Sequence, residues 1–142
     1  MYNFRDLDTE DELETSNKGK IRITKYSRGG ITMANCARLT AQDQHASNGI
    51  VHIVDKVLQP AKQTLGAILE ADQQFQTFAT ALEEHGLLND LHKKDGLTVF
   101  VPTDAAFAKL DNIARERVLG KGGCARDLIM SHILPNVVCS GL

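Results

Sequence analysis

The sequence predicts an α+β fold, with strands in the first part of the chain and helices in the second. Three observations carry this. From Lys20 to Val54, apolar residues alternate with polar ones or run in short bursts between turn residues. From Leu65 to Ile133 most of them recur at helical intervals of three and four. Between the two lies Gln59-Pro60-Ala61-Lys62-Gln63, a polar, proline-containing stretch with the composition of a linker.

Residues Asp6 to Glu14 are mostly acidic and lack apolar periodicity, which predicts a solvated edge or frayed end. Ile21-Arg22-Ile23-Thr24-Lys25-Tyr26 has the period-two alternation of a half-buried strand, and Ser27-Arg28-Gly29-Gly30 turns it. Ile31-Thr32-Met33 alternates again, Ala34-Asn35-Cys36 turns the chain, and Ala37-Arg38-Leu39-Thr40 returns antiparallel. Gln42 to Ser47 is read as a polar connection. Asn48-Gly49 is a turn dipeptide opening Ile50-Val51-His52-Ile53-Val54, whose apolar residues on both faces predict a buried, central strand.

Beyond the linker, Leu65, Ile68 and Leu69 begin a helical face that Phe75, Phe78, Ala79 and Leu82 continue. Asp72 punctuates the two pieces, and Gly86 after His85 fits a helix end. Leu87, Leu88 and Leu91 suggest one more short turn. Leu97-Thr98-Val99-Phe100-Val101 reads as a second buried strand, stopped by Pro102, with Thr103 or Asp104 able to cap a helix that carries Phe107 and Leu110. Leu119-Gly120-Lys121-Gly122-Gly123 breaks the chain, and the stretch from about Cys124 to Leu134 reads as a final amphipathic helix before Pro135.

Composition excludes several classes. The net charge of -2 among 142 residues argues against phosphate-driven nucleic-acid binding, and the absence of Trp with few other aromatics argues against base stacking. No apolar run approaches the roughly 18–20 residues a membrane span needs. The start, Met1-Tyr2-Asn3-Phe4-Arg5-Asp6-Leu7-Asp8, is polar and acidic and has no signal-peptide pattern, so the chain reads as cytosolic or as a piece of a longer one. With three cysteines, at least one lacks a partner in the chain. A Cys124–Cys139 pair is disfavoured, because about 15 Å of intervening helix is hard to retrace with five extended residues. Cys139 is therefore expected to pair outside this segment or to stay free.

Catalytic signatures are missing. Gly120-Lys121-Gly122-Gly123 lacks the spacing of a phosphate loop and reads as an interhelical turn. No Cys-x-x-Cys, His-Glu-x-x-His or calcium-loop pattern is present, His85 and His92 read as surface helix positions, and no metal or other cofactor is expected. His52 and Asp55 lie on opposite faces of a strand and make no dyad, and Ser131 and Ser140 are in no nucleophile elbow, so no enzymatic activity is expected. His52 reads instead as an imidazole that ties its strand to neighbouring backbone.

Two segments, Asn48-Gly49-Ile50-Val51-His52-Ile53-Val54-Asp55 and Leu97 to Phe107 with its Pro102-Thr103, resemble the signature segments of the fasciclin-type adhesion-domain family. Phe75-x-x-Phe78, Gly86-Leu87 and the closing Ser131-His132-Ile133-Leu134 extend the likeness to nearly the whole chain from Ile21. In that family the Pro-Thr segment comes early in a module and the Asn-Gly-x-x-His segment closes it; here the order is reversed. The resemblance therefore implies that residues 1–60 are the C-terminal part of one module and residues 64–142 the N-terminal part of the next. The two parts are alternatively expected to rebuild one circularly permuted module, with Ile50–Val54 and Leu97–Val101 in a single sheet.

The resemblance implies a wedge-shaped β-sandwich with helices at one edge. It further implies a non-catalytic role in extracellular adhesion through an integrin or a matrix protein. A small-molecule or polysaccharide-binding module on the same scaffold, or a fragment without autonomous function, is the alternative. The family's acidic adhesive segment corresponds to Gln42-Asp43-Gln44-His45, where Asp43 matches and Gln44 and His45 replace an aliphatic pair. A second adhesive Tyr-His element corresponds to Ser131-His132, where His132 matches and the Tyr does not. Asn48, Gly49, His52, Pro102 and Thr103 carry structural roles in this reading.

Overall fold

The computed structural model describes residues 3, 6–9, 11–27 and 29–140, leaving the side chain at 123 aside. Residues 1, 2, 4 and 5 of the polar start, and Arg28 of the predicted turn, lie outside the described residues. The chain divides into two compact units, Met1–Pro60 with Cys139–Leu142, and Ala61–Val138.

Unit 1 is a five-stranded antiparallel sheet in chain order: β1 (Glu12–Glu14), β2 (Lys20–Tyr26), β3 (Ile31–Ala34), β4 (Ala37–Ala46) and β5 (Gly49–Val54). Of the two expectations for the acidic segment, the exposed edge rather than the frayed end is found, since β1 is the sheet's outer strand with Glu12 and Glu14 exposed. Leu7 is buried, and β1 pairs Leu13 with Ile21, because Glu12 meets Arg22 and Lys20 (the latter at 3.1 Å). The tight β3–β4 turn places Asn35 and Cys36 at φ 46° and 63°, and the Asn35 side chain fastens it by accepting the Arg22 amide (2.9 Å) and donating to the Lys20 carbonyl (3.1 Å). Leu7, Ile23, Ala34 and Leu39 form the buried cluster, flanked by Leu13, Ile21 and Val54.

Cys36 and Cys139 form a disulfide with Cα atoms 5.3 Å apart, which corrects the expectation that Cys139 is free or paired elsewhere. The hairpin turn presents Cys36, and the Cys139 amide donates to the Tyr26 hydroxyl (3.4 Å). Cys124 is the free and exposed cysteine.

Two strand expectations are also corrected. Gln42 to Ala46 belongs to β4, so that only Ser47 and Asn48 connect it to β5. β5 is an edge strand among the described residues, and its Val51 and Ile53 are 53% and 49% exposed.

Unit 2 is helical: α1 (Leu65–Ala71), a 3-10 turn (Gln73–Phe75), α2 (Gln76–Glu84), α3 (Leu88–Lys93), α4 (Asp104–Ala108), α5 (Asn112–Leu119) and α6 (Gly123–Met130). Polar side chains cap these elements, one of them at Asp72, where the sequence predicts a break. Thr64 and Asp72 accept the amides of Ala67 and Gln74, and Asp111 that of Ala114. Gly86, at φ 68°, ends α2, while the Leu87 amide reaches back to the Leu82 carbonyl (2.8 Å). The α5 sequence shows no apolar stripe and buries no residue fully, so periodicity gives no sign of it.

The strand predicted over Leu97–Val101 shortens to β6 (Thr98–Val99), half-buried, with Phe100 57% exposed. Its partner is β7 (Ile133–Leu134), residues that read as helix from the sequence. Pro135 and Pro102 flank the ladder and supply no amide to lengthen it. Leu69, Phe78, Leu82, Leu91, Phe107 and Ile129 lead the buried cluster of this unit. β5 and β6 therefore belong to different sheets and different units, and the two buried clusters share no residue, which overturns the expectation of one permuted sheet.

Candidate functional site

The acidic segment sits on an irregular stretch of β4. Register against β5 shifts between Leu39 and Ala41 and again between Ala41 and Gln44. Such bulges turn side chains out of the pleat. Asp43 takes φ 51°, in the left-handed region that aspartate and asparagine enter more readily than most residues. Its amide donates to His52 Nδ1 on β5 (3.3 Å), so the predicted His52 and Asp43 meet. Thr40 Oγ1 donates to the Ile53 carbonyl (3.3 Å) and Gln44 Nε2 to the Gln42 carbonyl (2.9 Å). Gln42 and Asp43 are half-buried, whereas Gln44, His45, Ser47 and Asn48 are exposed. The result is a polar knuckle, fixed by main-chain bonds, at the end of the β4–β5 hairpin.

Asn48 is a turn residue and Gly49 the first residue of β5; neither has positive φ, and the space where a Gly49 Cβ would sit is open. Close approaches do require glycine at Gly120, where a Cβ would run into the Glu116 carbonyl, and at Gly66, where it would stand 2.6 Å from His92 Nε2. His92, predicted as a surface position, is thus packed over α1, with its Nδ1 3.0 Å from Thr64 Oγ1 and its Nε2 3.5 Å from a Glu70 carboxylate oxygen.

Pro102, Thr103 and His132 belong to unit 2. Thr103 caps α4 by accepting the Ala106 amide (3.3 Å), and Asp104 Oδ1 accepts the Thr77 amide (2.8 Å), joining α4 to α2. His132 lies just past α6 and is half-buried. Its carbonyl accepts the Phe100 amide (2.9 Å), its Nδ1 lies 2.9 Å from the Leu128 carbonyl, and its ring tilts against Phe78 at 5.7 Å. The bond to a carbonyl fixes Nδ1 as the protonated nitrogen of the neutral ring. Beside it a cleft of about 240 Å³ opens among Phe78, Ala81, Phe107, Leu110 and Ile129. Asp43 belongs to unit 1 and His132 to unit 2.

Among the described residues, no group of three His, Cys, Asp or Glu is arranged to hold a metal ion, and no helix is long and apolar enough to cross a membrane. Sequence reading missed the Cys36–Cys139 link, the packing of His92 and the bulges of β4; each depends on partners far apart in the chain.

The model of the fasciclin domain matches residues 1–60 and 73–142. Transforming growth factor-beta-induced protein ig-h3 of Oryctolagus cuniculus is 38% identical over 122 residues, covering 85% of this chain and 18% of that protein. Human periostin is 34% identical over 118 residues, 83% of this chain and 14% of its own length. A solved FAS1 domain pair from the insect cell adhesion molecule fasciclin I matches with a TM-score of 0.48 at 18% identity, over 80% of this chain and 42% of that one. The chain thus spans less than a fifth of the first two relatives. With both units matched, the chain belongs to the fasciclin-domain family.

Proposed function

We propose that the chain is a non-catalytic extracellular adhesion or matrix module that presents the β4–β5 knuckle, Gln42 to His45, to a receptor such as an integrin or to a matrix protein. The family match carries this reading. The Cys36–Cys139 disulfide supports it, since such bonds persist in oxidising compartments. In the same reading residues 1–60 are the tail of one module and residues 64–142 the head of the next. The two separately matched stretches and the unit boundary after Pro60 support that division, whereas Cys139–Leu142, which the disulfide joins to the first unit, departs from it. Exposed residues on a hydrogen-bonded hairpin suit recognition, because the scaffold holds them without further ordering.

The test is cell attachment to surfaces coated with the full chain. Asp43→Asn is the informative variant: asparagine tolerates the left-handed backbone, whereas alanine would add strain of about 1 kcal/mol and confuse the result. Reduced attachment with unchanged thermal unfolding supports the reading; full attachment removes Asp43 from the contact.

The apolar cleft beside His132 favours a second reading, a small-molecule-binding module. Its lining has one polar side chain, which suits a hydrophobic compound better than a polysaccharide. A thermal-shift screen with apolar ligands tests it, and His132→Phe should abolish any response that needs the imidazole.

A further inference from the structure

The β4–β5 hairpin closes on the only Asn-Gly dipeptide in the sequence. Register pairs Ala46 with Gly49, so Ser47 and Asn48 form a two-residue connection, and Asn48 is exposed. Gly49 has no side chain to shield its amide nitrogen, and the space where its Cβ would sit is open. Ala46–Gly49 is the last rung of the ladder, and terminal rungs open most readily. Once it opens, the Gly49 nitrogen can reach the Asn48 side-chain carbonyl carbon. Both reacting atoms lie in one dipeptide, so the reaction avoids the entropy cost of bringing two molecules together. It also requires nothing beyond the hairpin itself.

Two other asparagines provide the contrast. Asn35 stands in an equally tight turn, but its side-chain amide is held at both ends, by the Arg22 amide (2.9 Å) and the Lys20 carbonyl (3.1 Å). The residue after it is the disulfide-bonded Cys36, which carries a Cβ. Asn17 Oδ1 accepts the Gly19 amide (3.3 Å), and Lys18 follows it.

We propose that Asn48-Gly49 is a site of spontaneous covalent modification, at which the hairpin end converts with time to isoaspartate. The Gly49 nitrogen loses its proton to solvent and attacks Asn48 Cγ. A C–N bond forms, the bond from Cγ to the side-chain nitrogen breaks, and that nitrogen takes a proton from solvent and leaves as ammonia. Water then opens the five-membered imide. Cleavage at Cγ gives aspartate. Cleavage at the backbone carbonyl gives isoaspartate, with the main chain rerouted through Cβ and Cγ. Water is the one co-reactant, and nothing is oxidised or reduced. Either product adds one negative charge to the net charge of -2. Isoaspartate also adds one carbon to the main chain. Hairpin register is set by the length of the connection, so a lengthened two-residue turn cannot keep Ala46 opposite Gly49.

The proposal does not rest on the adhesion reading, and its readouts need no receptor. The folded full chain is held at neutral pH and physiological temperature, and peptides are mapped by mass spectrometry over time. The Asn48 peptide should gain about one dalton and split into two products, while the Asn17 and Asn35 peptides keep their mass. The second product is diagnostic, because direct hydrolysis of the side chain yields aspartate alone. Mapping is needed because Asp95-Gly96 can isomerise without a change in mass. Gly49→Ala should slow the conversion severalfold; Gly49 lacks positive φ and has room for a Cβ, so this variant keeps the hairpin. In the converted fraction, hydrogen-exchange protection should fall around His45 to Ile50 and persist in β2 and β3. An Asn48 that keeps its mass in the folded chain overturns the proposal, and a urea-unfolded control that converts would assign the protection to the hairpin. Conversion to aspartate alone also overturns it, as does an unchanged rate in Gly49→Ala.

Discussion

Unit 1 and unit 2 reach stability by different means. The sheet of unit 1 closes over a cluster of four buried apolar residues, Leu7, Ile23, Ala34 and Leu39, and is tied by the Cys36–Cys139 bond. Unit 2 packs a cluster of ten buried residues and holds no disulfide among its described residues. A small sheet buries too little apolar surface to resist the conformational entropy of its chain, and a covalent link that shrinks the unfolded ensemble compensates. The helical unit needs no such link, because Phe78, Leu82, Leu91 and Ile129 are almost wholly removed from water.

The largest expected effect follows from that contrast. The disulfide ties the β3–β4 turn at Cys36 to Cys139 within unit 1, and removing a native disulfide typically costs about 2–5 kcal/mol. Cys139→Ser should therefore strip hydrogen-exchange protection from β2, β3 and β4 and leave α2 and α3 protected. Equal loss in both units would show that they unfold as one body and would break the comparison. The reciprocal change is Leu82→Ala. Leu82 is fully buried in unit 2, so its truncation should cost about 2–5 kcal/mol there, read as faster exchange in α2 and α3 with β2–β4 unchanged.

What the sequence disclosed divides along the same line. Asp72, Gly86 and Thr103 announce their helix ends because a cap is a bond between residues two to five apart, all inside one reading window. The polar knuckle was visible as a segment but not as a structure. Asp43 meets His52 on a stretch of β4 whose register shifts twice against β5, and alternation along one segment does not show where a register shifts. Continuous apolar character in Ile50–Val54 suggested neighbours on every side, yet period and composition do not say how many strands flank a strand. Ile133–Leu134 looked helical because it continues the spacing of α6, and only the arrival of Thr98–Val99 makes it a strand. The Cys36–Cys139 bond was out of reach of argument over neighbouring residues. The turn at Asn35-Cys36 and the return of the chain end create it jointly.

A smaller effect sharpens the account of unit 2. Thr103→Ala removes the side chain that accepts the Ala106 amide at the start of α4 and should cost about 1 kcal/mol. Asp104, through its bond to the Thr77 amide, keeps α4 joined to α2, so the loss should appear as fraying of α4 rather than unfolding of the unit. Thermal unfolding should drop by a few degrees, with the cluster around Leu82 still protected.

The smallest effect concerns pH. The Lys94 ammonium hydrogen-bonds the Asp90 carboxylate at 2.8 Å and attracts it, holding the carboxyl below its ordinary value of 3.8. A group whose folded value lies under its unfolded value favours the folded state fully above the unfolded value. That contribution disappears as pH falls through the folded value. Asp90→Asn should therefore lower the thermal midpoint slightly at neutral pH and converge with the parent in strong acid. Both side chains are exposed to water, and exposed pairs are screened, so the difference should shrink further in added salt. A gap between the two proteins that persisted in strong acid would mean that Asp90 acts by something other than its charge. The polar margin of α3 would then contribute to unit 2 in a way that its apolar core does not explain.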